Sequence, residues 1–117
     1  MAVFASRQIV MPVLSIAVTI TGSGDSSKCY AIINGTKQYS AGTHEVNAGD
    51  TITFGVYGSS SGSYSGSVTI DGTRVLRVSD GSTKTYDWIV PSGISTIEIA
   101  IKYSPAYKKG TITVTTA

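Results

Sequence analysis

The chain has 117 residues, of which 41% are hydrophobic and 14% charged, with nine basic and seven acidic side chains for a formal net charge of +2. That length holds one domain around one core. The charges are scattered singly, which excludes the basic stripe from which nucleic-acid binders draw their affinity; the adjacent pair Lys108-Lys109 reads as a solvated loop. Val, Ile, Ser and Thr dominate, there are 13 Gly, and Leu occurs only at Leu14 and Leu76. β-Branched residues fit a pleated, half-buried surface, and no segment carries apolar residues at helical spacing, so the class is all-β.

The first residues contain Arg7 followed by Ile9-Val10-Met11-Pro12-Val13-Leu14, a superficial match to a signal peptide. Pro12 interrupts the run, no small-residue cleavage site follows, and the apolar run is too short to span a bilayer, so neither secretion nor a membrane is expected. Residues 1–12 read instead as an arm preceding a domain over 13–117. Val3, Phe4, Ile9, Val10 and Met11 are apolar yet lie outside the strand pattern. Such a tail is costly to leave in water, so it is expected to be held by its own body, a sister subunit or another protein.

From Leu14 the pattern changes to strict alternation, with Leu14, Ile16, Val18 and Ile20 on one face and Ser15, Thr19 and Thr21 on the other. A Gly/Ser loop leads to Cys29-Tyr30-Ala31-Ile32-Ile33, then Asn34-Gly35, then Thr36 to Tyr39. Asn-Gly between two β-prone runs predicts a two-residue hairpin turn that pairs Ile33 with Thr36 and Tyr30 with Tyr39. A short strand over Thr43 to Val46 and an alternating one over Thr51 to Tyr57 follow, the latter with Ile52, Phe54 and Val56 inward. Gly58 to Gly66 is a Ser/Gly tip around Tyr64. The next hairpin turns at Asp71-Gly72. A three-residue loop there, ending at Thr73, would put Val68, Ile70, Leu76 and Val78 on one face. Tyr86, Trp88 and Val90 alternate next, then Ile97, Ile99, Ile101 and Tyr103, and Ile112 and Val114 close the domain after a loop carrying Tyr107. About nine short strands with turn signals between them predict an antiparallel sandwich, the connections being too short for crossover helices.

Chemistry is sparse in these elements. Cys29 and His44 are single of their kind, which rules out an intrachain disulfide and a Cys/His zinc site. Cys29 reads as a buried, inert thiol. His44, in a short strand expected to be exposed or near a sheet edge, has no placed partner to make it a base. Asp25, Asp50, Asp71 and Asp80 lie beside Gly in turns, where Asp bonds its own backbone. No nucleophile elbow, phosphate loop or calcium loop is present, so no enzyme activity and no cofactor or metal is expected. Trp88 lies in the inward register and reads as a core residue. Tyr64 and Tyr107, both in predicted loops, are the candidate contact residues, because amphipathic aromatics on adaptable Ser/Gly tips are what binding loops use.

The run from Tyr39 to Phe54, the hairpin Val68-Thr69-Ile70-Asp71-Gly72-Thr73 and the closing Gly110-Thr111-Ile112-Thr113-Val114-Thr115-Thr116 resemble the Ig-like β-sandwich domains of bacteria and phages. The resemblance covers most of residues 14–117 and rests mainly on turn chemistry. It implies a single Ig-like sandwich with an extended N-terminal arm, similar to small phage capsid-decoration or tail-associated proteins made in the host cytoplasm and built into the virion. The partners it implies are other virion proteins, further copies of the chain and host-surface glycans. The alternative is a stand-alone module that binds glycans or cell surfaces through Tyr64 and its neighbours.

Overall fold

The computed structural model describes residues 15–60, 65–93, 96–103 and 110–116. They form ten strands: β1 (Ser15–Ser23), β2 (Cys29–Ile33), β3 (Thr36–Gln38), β4 (Gly42–Asn47), β5 (Thr51–Gly58), β6 (Gly66–Ile70), β7 (Thr73–Val78), β8 (Ser82–Ile89), β9 (Glu98–Tyr103) and β10 (Gly110–Thr116). A six-stranded sheet, β4-β1-β10-β9-β6-β7, packs on a four-stranded one, β3-β2-β5-β8, and every pairing is antiparallel. The chain is therefore an all-β two-sheet sandwich, as its alternation predicts. The first and last strands pair with each other in one sheet, Ile20 opposite Val114. Constant-type immunoglobulin domains differ in this respect, since they divide strands ABED from CFG; what is shared is the two-layer antiparallel architecture.

The core sits between the sheets and is built by alternate residues of each strand. Ile16, Val18 and Ile20, with Ile99, Ile101, Ile112 and Val114, line one layer; Cys29, Ala31, Ile33, Ile52, Phe54 and Val56 line the other, and all are buried. Each fully buried Val, Ile or Phe contributes about 1.5–3 kcal/mol relative to an exposed one, and together they fix the register, because a one-residue slip would turn every one of them outward. Thr116 is buried too, and its Oγ1 accepts the Ile97 N–H at 3.0 Å, which ties the end of β10 to the start of β9.

Two hairpins test the turn predictions. Asn34 and Gly35 both have positive φ (53° and 80°), and Ile33 pairs with Thr36, so the expected two-residue turn forms. The predicted pairing of Tyr30 with Tyr39 does not: β3 stops at Gln38, and the Tyr39 carbonyl instead accepts the Gly24 N–H at 2.7 Å. At the second hairpin Asp71 and Gly72 also have positive φ (46° and 85°), and Ile70 pairs with Thr73. This is a two-residue turn and not the expected three-residue loop. A register shift between Val68 and Thr69 then leaves Val75 unpaired and sets Val68 opposite Leu76, so a bulge returns Leu76 and Val78 to the inner face.

Candidate functional site

Strand direction divides the sandwich into two unlike ends. β1, β5, β7 and β9 run from the first end to the second, and the register places Ser15 opposite Asn47 and Thr51 opposite Ile89 at the first end. The connections there are tight turns at Asn34-Gly35, Ala48-Gly49 and Asp71-Gly72 and the longer connection between Ile89 and Glu98, and residues 1–14 join the sandwich there, at Ser15. At the second end Ser23 pairs with Thr111, Gly58 with Ser82, Gly66 with Val78 and Tyr103 with Gly110. Ser67 pairs with Lys102, so the strands that lead into the 59–65 and 104–109 loops are neighbours. The segments carrying Tyr64 and Tyr107 therefore rise from adjacent roots, opposite the root of the arm.

The second end has a fixed rim. Asp25 Oδ1 accepts the Ser27 N–H at 2.8 Å and the Ser27 Oγ–H at 2.7 Å. Lys37 Nζ donates to the Ser26 carbonyl, Thr83 Oγ1 donates to the Ser27 carbonyl, both at 3.0 Å, and the Tyr57 N–H donates to the Lys28 carbonyl at 2.8 Å. The neighbouring turn repeats the device. Asp80 Oδ1 accepts from Ser82 Oγ at 2.6 Å, and Asp80 Oδ2 pairs with Lys84 Nζ at 3.1 Å. Those bonds hold the Asp80 carboxyl below its ordinary value, the Ser82 hydroxyl contributing most. Asp25, Asp50 and Asp80 thus serve their own turns, Asp50 accepting the Asn47 N–H at 2.9 Å, whereas Asp71 accepts the N–H of the distant Glu98, at the start of β9, at 2.9 Å.

Cations and aromatic rings meet on the outer face of the four-stranded sheet. Lys28 Nζ lies 5.2 Å from the Tyr57 ring centroid and Lys37 Nζ 4.4 Å from that of Tyr30. Tyr30 is only 6% exposed, with its ring lying across Gly55 of the neighbouring strand. Alternation alone put Tyr57 on this face, but the two lysines have no sequence signal, since Lys28 arrives from a loop and Lys37 from a three-residue strand.

The other candidates are distributed as follows. Val3, Phe4, Ile9, Val10 and Met11 of the arm, and Tyr64 and Tyr107 of the loops, lie outside the described residues. Trp88 points inward opposite Ile52, half-buried, with its ring 6.2 Å from that of Phe54. His44 is half-buried on the edge strand β4, opposite Val18. Cys29 is fully buried, and burial pushes its thiol up to about 12. Among the described residues no three His, Cys, Asp or Glu side chains gather in a group that could hold a metal. Comparison with family models, with curated proteins and with solved structures finds no match to this chain.

Proposed function

We propose that the chain is a non-enzymatic structural protein of a phage virion, a capsid-decoration or tail-associated component that assembles through its N-terminal arm and displays an Ig-like domain. The observation that supports this reading is the polarity of the sandwich. The arm root at Ser15 and the roots of the Tyr64 and Tyr107 loops lie at opposite ends, so a copy held by its arm presents its loops outward. Other virion proteins and further copies of the chain are the partners that fit the arm. The adjacent roots of the Tyr64 and Tyr107 loops favour a second reading, a surface-binding module that engages glycans at the loop end.

Native mass measurement and electron microscopy of the full chain, beside a chain lacking residues 1–11, test the proposal. A symmetric oligomer or particle-bound form that is lost on deletion is the expected result. An unchanged mass after deletion overturns it, and a sugar-binding monomer favours the second reading.

A further inference from the structure

We propose that the outer edge of β8 is the docking site for the N-terminal arm of a second copy, which adds to the four-stranded sheet as a fifth strand. This rests on the reading of residues 1–14 as an assembly arm and names the surface that receives it.

Four strands end the two sheets, and three of them are guarded against added strands. β3 has only three residues. β7 carries the bulge together with Arg74 and Arg77. β4 has its Glu45 carbonyl taken by Asn34 Nδ2 at 3.0 Å. Short length, bulges and edge charges are the usual means of blocking edge-to-edge pairing. β8 has eight residues and two charges, both tied to neighbours: Lys84, which shares the inward face with Val56 near the loop end, pairs with Asp80, and Asp87 accepts the Thr53 Oγ1–H at 2.8 Å.

From Thr85 to Ile89 the backbone of this edge is open among the described residues. Val90 donates its N–H to the Asp50 carbonyl at 2.9 Å and accepts from the Gly49 N–H at 2.8 Å, so its bonds face β5. Tyr57 of β5 donates away from β8, to Lys28. Antiparallel alternation then turns the N–H and C=O groups of Thr83, Thr85, Asp87 and Ile89 outward. The flank is apolar as well. Tyr86 and Trp88, on the inner face of β8, are packed on the core yet only partly covered, and Ile89, on its outer face, is 63% exposed.

The arm suits this edge in length, composition and position. Fourteen residues precede Ser15, and extended they reach roughly 46 Å, against roughly 27 Å for the length of β8. The remainder is enough to cross from one copy to the next. Val3, Phe4, Ile9, Val10 and Met11 supply apolar side chains for the half-covered flank. Pro12, which cannot donate to a ladder, is acceptable on an added strand because that strand becomes the new edge. The root of the arm and the open half of β8 also lie at the same end of the sandwich.

Sedimentation equilibrium of the full chain, Thr85→Pro and Ile89→Pro tests the assignment, with iodide quenching of Trp88, the sole tryptophan, as a second readout. Both prolines remove an outward N–H that β5 does not use. The full chain is expected to associate with Trp88 shielded, and the proline chains to keep the parent's circular dichroism and urea midpoint while associating about tenfold more weakly or less. Proline variants that fold and associate like the parent overturn the β8 assignment, while the arm reading survives if deletion of residues 1–11 still abolishes association. Association that persists after that deletion overturns both, and a full chain that is monomeric at every concentration overturns the β8 assignment. Should the prolines unfold the chain, quenching of the parent decides alone, because equal Trp88 exposure in the dilute and associated states overturns the assignment.

Discussion

Cys29 is fully buried, with its Sγ–H donating to the Ile101 carbonyl at 3.4 Å. Burial raises its thiol from the ordinary 9.0 to about 12, so the folded chain holds this proton more tightly than the unfolded chain does. The resulting contribution is fully present below pH 9, falls by about 1.4 kcal/mol per pH unit between 9 and 12, and is gone above that. Tyr103, raised above its ordinary 10.0 by burial, adds a loss of the same sign that begins near pH 10. Urea midpoints measured from pH 8 to 11 should therefore fall for the parent and fall less steeply for Cys29→Ala; parallel curves would contradict the assignment. Two glycines separate backbone from side-chain crowding. A Cβ on Gly58 would collide with the Val78 carbonyl oxygen, which is backbone, whereas the nearest atoms to one on Gly55 belong to the Tyr30 ring. Gly58→Ala should cost more than the 1–3 kcal/mol typical of overpacking and leave little folded chain. Gly55→Ala should be milder, and adding Tyr30→Ala should remove the clash term, read as a positive coupling in a double-mutant cycle of urea midpoints.

At the scale of elements, the two tight hairpins carry the local information. Gly35 and Gly72 have φ of 80° and 85°, and nothing lies within 4 Å of a Cβ built on either. Alanine there pays only the left-handed backbone penalty, so each substitution should lower the unfolding free energy by about 1–2 kcal/mol without altering the near-ultraviolet spectrum. A loss beyond about 3 kcal/mol would show that the turn does more than reverse the chain. These turns were legible because Asn-Gly and Asp-Gly carry positive φ in their own chemistry, and the inward rows were legible because alternation is a one-dimensional signal. The Val75 bulge was not. A three-residue loop and a two-residue turn followed by a bulge restore the same residues to the same face, so the hydrophobic pattern could not choose between them. Strand order was equally hidden, since nothing local in Ile20 or Val114 announces that they are partners. Of the candidate site, Tyr57 followed from alternation, while the open edge of β8 depends on which strands end the sheets and so appears only once the sheets are assembled.

The whole molecule is held as one piece by pairings that join its extremes. β1 closes against β10, so the arm root and the end of the last strand share a sheet, and the strand ends Gly58, Gly66, Tyr103 and Gly110 share the opposite end. A rigid body between two sites makes them separable by mutation, since changes more than about 7–10 Å apart with no shared partners act additively. The bipolar reading therefore predicts an uncoupling. Tyr64→Ala with Tyr107→Ala should leave the native mass and thermal midpoint of the chain unchanged and reduce its adsorption to host cells or glycan-coated surfaces. Loss of residues 1–11 should do the reverse, abolishing assembly while each remaining monomer adsorbs as weakly as one domain alone. Loop contacts of moderate strength would then gain avidity only when many copies are fixed on one particle, as linked sites do without any new contact. Adsorption that survives the double tyrosine change, with assembly intact, would remove the loops from the binding surface and leave the sandwich a display platform whose working contacts are all made through the arm.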